Sequence, residues 1–295
     1  VPKPTENETR TTLDDYQSAN GELLWAARQT KVECSYATSV NSRLMSVGGN
    51  AAMDSAMQCI HYMYSTRHRG IRFRSDGCDQ LTAKYDAALD PDVKDGKSMG
   101  GWCIKLFGGP ISCLSKKMAH TAVSSTHAEY QIQASVTKSV VHFRQLLFEM
   151  ELEEHCQEAT IVEGDNTQAV TLAVSPKVTS GNKFYLLDLH YCKDMNEEGH
   201  VQYRWVEGSK NTADIFTKAL GQVLFEKFID PLCGYAISPV EQLAPAMLGR
   251  PEAGNFPGWR HVRDRMQRTG LTREQQIYMD HLLRDPEMSA QTGRL

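Results

Sequence analysis

The sequence predicts a mixed α/β domain preceded by a mostly helical segment. Three observations predict it. Apolar residues recur at helical spacing before about residue 73. Five short strand-like runs alternate with helical stretches between about residues 81 and 220. Two of those runs flank Gly108-Gly-Pro110, the composition of a hairpin turn. The order β, β-β, α, β, α, α, β, α builds a mixed five-stranded sheet with flanking helices and not a doubly wound one.

The elements follow in order. Helices are expected over Gly21–Gln29, Tyr36–Met45 and Ala51–Tyr64. In the last, Met53, Met57, Ile60 and Tyr64 make one apolar stripe. Leu81–Asp86 is the first strand. Gly101–Phe107 and Ile111–Ser115 are the hairpin arms. Ser124-Ser-Thr126 starts a helix, with Thr126 and Glu129 at capping-box spacing. Tyr130, Ala134, Val140, Val141 and Leu147 supply its apolar positions. Ala159–Glu163 is a strand, and Gly164-Asp-Asn166 turns it into a helix reaching about Val174. Phe184–Met195 is helical, His200–Val206 alternates as a strand, and Asn211–Leu220 begins a final helix. Trp102 and Trp205 fall in strands and are expected in the core. After about Ser238 the composition shifts to Pro, Gly, Arg and Met, with a loop over Pro251–Pro257 and an amphipathic helix over Thr272–Arg284.

Composition narrows the function classes. The chain has 295 residues, of which 41% are hydrophobic, enough for a core. No apolar run approaches the roughly 20 residues of a membrane span. The opening Val-Pro-Lys-Pro-Thr-Glu has neither the basic region nor the apolar core of a secretion signal, so a cytoplasmic or nuclear protein is expected. The absence of an initiator Met fits a piece of a longer chain. Eight cysteines are scattered with no Cys-x-x-Cys pair, which argues against zinc and for small core residues. The net charge of −4 lacks the basic balance common in nucleic-acid binders, although a site made of carboxylates adds negative charge of its own.

Carboxylates are the candidate chemistry. Two-metal phosphodiester hydrolysis needs several at one point, holding two Mg²⁺ or Mn²⁺ ions about 3.5–4 Å apart. Hard cations call for oxygen ligands. Four candidates stand at strand ends and helix starts: Asp86, Glu129, Asp165 and Asp214. Position alone leaves a helix cap or a solvated carboxylate as the alternative for each.

Five motifs carry a resemblance. They are Gly100-Gly-Trp-Cys-Ile104, Gly109-Pro-Ile-Ser-Cys-Leu-Ser-Lys-Lys117, Ala122-Val-Ser-Ser-Thr-His-Ala-Glu-Tyr130, Glu163-Gly-Asp-Asn-Thr-Gln-Ala-Val170 and Asn211-Thr-Ala-Asp-Ile-Phe-Thr-Lys-Ala-Leu220. In this order they resemble the ribonuclease H domain of copia-type LTR retrotransposon Pol polyproteins. Gly21-Glu-Leu-Leu-Trp25, Ser35 to Ser46 and His61 to Phe73 resemble the segment joining reverse transcriptase to that domain. The resemblance implies a ribonuclease H-like fold over residues 79–235. It implies a connection segment over 1–78 and leaves 236–295 as a tail of unknown role. It assigns Asp86, Glu129, Asp165 and Asp214 as catalytic ligands of two Mg²⁺ or Mn²⁺. It implies an endoribonuclease cutting the RNA strand of RNA–DNA hybrids, with the upstream reverse transcriptase of the same polyprotein as partner and no membrane.

Around those ligands, Lys116, Lys117 and Lys218 would meet phosphates, and Asn166 and Gln168 would donate to ribose 2′-hydroxyls. Solvated lysines, and a helix cap for Asn166, are the alternatives. His127 and His190 are candidate general bases or structural histidines. The chain also departs from the family. His127 stands where Glu is usual, Cys113 where Trp is usual, and Lys183-Phe-Tyr-Leu186 replaces Lys-His-Ile-Asp. Lys31-Val-Glu33 replaces Arg-Pro-Asp. These departures make a non-catalytic, decayed or domesticated nucleic-acid-binding module the alternative function. No Tyr-x-Asp-Asp motif is present, so polymerisation is not expected of this chain.

Overall fold

The computed structural model describes residues 10–74, 79–88, 97–119, 121–122, 124–175 and 186–234. The expectations for Lys183–Tyr185, Pro251–Pro257 and Thr272–Arg284 lie outside the described residues.

The chain divides into two compact units. The first comprises residues up to 25 and 41–69 among those described. It holds the first part of α1 (Arg10–Gln29) and all of α3 (Asn50–Ser65). Tyr16 donates its hydroxyl to the Asn41 carbonyl at 2.6 Å, and Gln17 donates to the Met45 carbonyl at 2.6 Å. The buried face of α3 is Ala52, Ala56, Cys59 and Ile60. The expected stripe is therefore rotated. Met53, Met57 and Tyr64 are only half-buried, because small residues at positions 52 and 56 allow the closer approach and take the core side.

The second unit covers 26–40 and, among the described residues, 70–234. It includes most of α2 (Ser35–Ser42) and a single sheet of β1 (Thr82–Ala88), β2 (Met99–Leu106), β3 (Gly109–Lys117), β4 (Thr160–Gly164) and β5 (Val201–Trp205). The strand order is β3-β2-β1-β4-β5. β1, β2 and β3 form an antiparallel meander, while β4 runs parallel to β1 and β5 parallel to β4. Between β2 and β3, Phe107 and Gly108 both have positive φ, 52° and 72°, as a two-residue turn matching the strand twist requires. Phe107 occupies a conformation better suited to Gly, and its ring packs edge-on against His155, with centroids 4.7 Å apart.

Helices α4 (Ser125–Glu149), α5 (Thr167–Val174) and α6 (Leu186–Glu197) join the sheet around one core. That core contains Ala83, Tyr85, Trp102, Ile104, Tyr130, Ile132, Val136, Val162 and Leu189. Strand alternation sends Cys103 into a second core, built from Ala213, Ile215, Phe216 and the buried residues of α7 (Gln222–Cys233).

Three local expectations are corrected. Ser124, not Thr126, caps α4, its hydroxyl accepting from the His127 amide at 3.1 Å, which leaves Glu129 free to turn inward. Asn211–Leu220 begins no long helix: a short 3-10 turn over Thr212–Phe216 stands there, and α7 follows. Trp205 is not core. It is 54% exposed, on the last residue of β5.

Candidate active site

The carboxyl ends of the parallel strands β1 and β4 set the position of the site, as is usual for open sheets of this kind. Asp86 lies on β1 and is 2% exposed. Asp165 follows β4 directly. Asp214 lies in the 3-10 turn and is 7% exposed. One carboxylate oxygen from each of these three lies within 4.8 Å of the others. Elements far apart in sequence thus deliver three hard oxygen donors to one point.

Glu129 arrives from the first turn of α4 and is 5% exposed. Its Oε1 accepts from the Ala87 amide at 3.2 Å, and its Oε2 is buried without a hydrogen-bond partner. It stands outside the group formed by the three aspartates but shares their field: burial first, then Asp86 and Asp165, pushes its carboxyl well above the usual range.

The neighbouring groups fix this geometry. Asn211, fully buried, donates its side-chain amide to the Tyr85 carbonyl at 3.0 Å and accepts from the Ala213 amide at 3.2 Å. It also stands near Asp165 and pulls that carboxyl down, against the larger raising effects of burial and Asp86. Thr217 donates its hydroxyl to Asp86 Oδ2, and Ser115 donates to the Phe216 carbonyl at 2.6 Å. Trp205 donates its indole N–H to the Asp165 carbonyl at 3.0 Å. Gly101 lies opposite Asp86 in the sheet register, and a Cβ there would stand 2.4 Å from Phe216 Cβ. Only glycine lets the 3-10 turn approach so closely.

Charge is concentrated. Burial, and next Asp86, pushes Asp214 up to about 7. The same two causes in the same order raise Asp165. Lys218 opposes both. Its Nζ stands 3.0 Å from Asp214 Oδ1 and 3.6 Å from Asp86 Oδ2. Burial pulls its ammonium down, but Asp86 and Asp214 more than offset this and raise it overall.

The remaining candidates are scattered around this centre. Asn166 caps α5, its side-chain oxygen accepting from the Ala169 amide at 3.0 Å. Gln168 is exposed and accepts from the Thr126 hydroxyl at 2.8 Å, tying the starts of α4 and α5 together. Lys116 is exposed and Lys117 half-buried at the end of β3. His127 is buried, with Nε2 2.8 Å from the Gln131 amide nitrogen, and burial lowers its pKa. His190 is exposed on α6. Sequence reasoning missed Asn211, Thr217 and the polar role of Trp205. Asn211 and Thr217 flank Asp214 within one quoted motif, and that adjacency was the available signal.

A β3-β2-β1-β4-β5 mixed sheet with acidic residues gathered at the ends of β1 and β4 is a ribonuclease H-like fold. The chain is 27% identical over 242 residues to the retrovirus-related Pol polyprotein from transposon RE2 of Arabidopsis thaliana, covering 79% of this chain and 16% of that protein. It is 26% identical over 212 residues to the corresponding polyprotein from transposon TNT 1-94 of Nicotiana tabacum, 72% of this chain and 16% of that one. The secreted RxLR effector protein 161 of Plasmopara viticola is 30% identical over 126 residues, 43% of this chain and 89% of that protein. Along 72–79% of its length the chain is thus similar to retrovirus-related Pol polyproteins of transposons. It spans about a sixth of the length of the polyproteins from RE2 and TNT 1-94. Among solved structures, the N-terminal RNase H domain of Rv2228c from Mycobacterium tuberculosis overlaps with a TM-score of 0.37 at 13% identity, covering 52% of this chain and 97% of that one. No protein-family model matches the chain.

Proposed function

We propose that the chain is the ribonuclease H portion of a transposon Pol polyprotein and hydrolyses the RNA strand of RNA–DNA hybrids. The observation that carries this reading is the convergence of Asp86, Asp165 and Asp214, with donor oxygens within 4.8 Å of one another. The donor set suits Mg²⁺ or Mn²⁺. All ligands are hard oxygens, their mutual repulsion calls for a cation, and Glu129 keeps a buried oxygen with no partner. Asp86, Glu129, Asp165 and Asp214 would hold two such ions. When bound, the metals would stabilise charge on the phosphodiester and acidify the attacking water.

The chain's own groups would do the rest. Asn211 ties the 3-10 turn that carries Asp214 to β1 through the Tyr85 carbonyl. Thr217 holds Asp86 in one rotamer through its hydroxyl. Lys116 and Lys117, at the end of β3, would meet backbone phosphates. Gln168 and the donor end of the Asn166 amide would meet ribose 2′-hydroxyls, the groups that mark the RNA strand. The upstream reverse transcriptase of the same polyprotein would supply the remaining grip on the duplex.

A labelled RNA–DNA hybrid tests this directly. The RNA strand should be cut in Mg²⁺ or Mn²⁺, EDTA should abolish cutting, and duplex DNA should stay intact. Hybrid binding without any cutting in either metal would instead return the chain to the non-catalytic reading.

A further inference from the structure

Lys218 stands where a cation is wanted. Its Nζ lies 3.0 Å from Asp214 Oδ1 and 3.6 Å from Asp86 Oδ2, on two of the three aspartates whose carboxylates gather. Its field reaches Asp165 and Glu129 as well. Lys84 is engaged elsewhere, with Glu163 at 3.0 Å and the Lys210 carbonyl at 3.1 Å. Lys227 is engaged with the Ser209 carbonyl at 2.9 Å. The Lys218 side chain is 42% exposed, whereas those of Asp86 and Asp214 are 4% and 9% exposed. The ammonium therefore reaches inward from the solvent side on a flexible stem, and the carboxylates are fixed.

We propose that Lys218 is an internal counter-cation that holds the aspartates together without metal and that a divalent ion must displace to enter. The proposal rests on the metal-binding part of the reading above. Two charges within 3–4 Å at a half-exposed position attract appreciably, and a hydrated ion competing for the same oxygens meets both occupancy and repulsion. Lys218 thereby sets the metal concentration at which the site fills. Its stem can swing into solvent, so displacement requires no movement of β1 or of the 3-10 turn.

The test is Mn²⁺ binding to the full chain without nucleic acid, measured by titration calorimetry. Lys218→Met keeps the length of the stem and removes the charge, and it should bind Mn²⁺ roughly tenfold more tightly. Lys218→Arg keeps the charge and should bind no more tightly than the parent. In EDTA at neutral pH, Lys218→Met should melt below the parent, and saturating Mn²⁺ should reverse that order. A second measurement follows acylation of lysine amines by peptide mass spectrometry. Lys218 should be protected without metal and labelled with saturating Mn²⁺, while Lys84 stays unchanged.

Unaltered or weaker Mn²⁺ binding by Lys218→Met would overturn the proposal, as would equal labelling of Lys218 with and without metal. Failure of the parent protein itself to bind Mn²⁺ would be a different result, overturning the metal reading on which the proposal rests.

Discussion

Replacing Asp214 by Asn should stabilise the metal-free protein at neutral and alkaline pH. The carboxyl is pushed up to about 7, by burial first and Asp86 second, against an ordinary value of 3.8. A carboxyl raised by folding holds its proton more tightly folded than unfolded. Its contribution is complete below about pH 4 and is lost as pH rises through about 7. The full displacement corresponds to roughly 4 kcal/mol at pH 8. Asn removes that charge and relieves Asp86 and Asp165, but it also loses the half-exposed pair with Lys218, worth about 0.5–1 kcal/mol. A net gain of about 3 kcal/mol is expected, or roughly 6–12 °C in Tm for a unit of this size. Thermal unfolding in EDTA at pH 4 and pH 8 measures it, and the gain should appear at pH 8 and vanish near pH 4. Excess Mg²⁺ should then stabilise the parent more than the variant. If the variant melts lower at pH 8, or gains equally at both pH values, the carboxylates do not repel one another as the geometry implies.

Three further outcomes follow from the same contacts. Asp165→Asn should lower hybrid cleavage on the order of a thousandfold in single-turnover assays while leaving the circular dichroism spectrum unchanged. Gly101→Ala should destabilise by about 2–3 kcal/mol in urea unfolding, because the new Cβ meets Phe216 across the floor of the site. Asn211→Ala should cost about 1–3 kcal/mol, since the Tyr85 carbonyl loses its buried donor, and it should weaken Mn²⁺ binding because the 3-10 turn that carries Asp214 loses its tie to β1.

Much of the fold was legible because it is local. Period-two alternation and the Gly-rich turn marked the strands. Asp86 and Asp165 could be picked out as candidates near strand ends, but position alone left other roles open, and it was the quoted motifs that marked them as a set. What was not legible depends on partners distant in sequence. The α3 stripe was read by size, but small Ala52 and Ala56 pack more closely than Met53 and Met57. Trp205 has a strand residue's apolar ring, yet its indole N–H finds the Asp165 carbonyl, forty residues away, and the ring stays exposed. The capping-box spacing of Thr126 and Glu129 was real as a pattern. Ser124 two residues earlier made the cap, and the Ala87 amide claimed Glu129.

The largest miss, the segment after Asn211, bears directly on how the site is held. Asp214 is pushed toward Asp86 although charge alone would separate them, so another term must hold the turn down. That term is apolar. Ala213, Ile215 and Phe216, the neighbours of Asp214, are buried and share a core with Phe228, Ile229 and Leu232 of α7 and with Cys103 beneath. Each fully buried Ile or Phe side chain is worth about 1.5–3 kcal/mol, so two of them beside Asp214 are enough to oppose the repulsion. Asn211 and Ser115 then fix the turn's register through hydrogen bonds to Tyr85 and Phe216. Helix α7, which carries none of the candidate ligands, thus helps press one of them into place. Truncating Ile229 or Leu232 would be expected to loosen the carboxylate cluster before it disturbed the sheet.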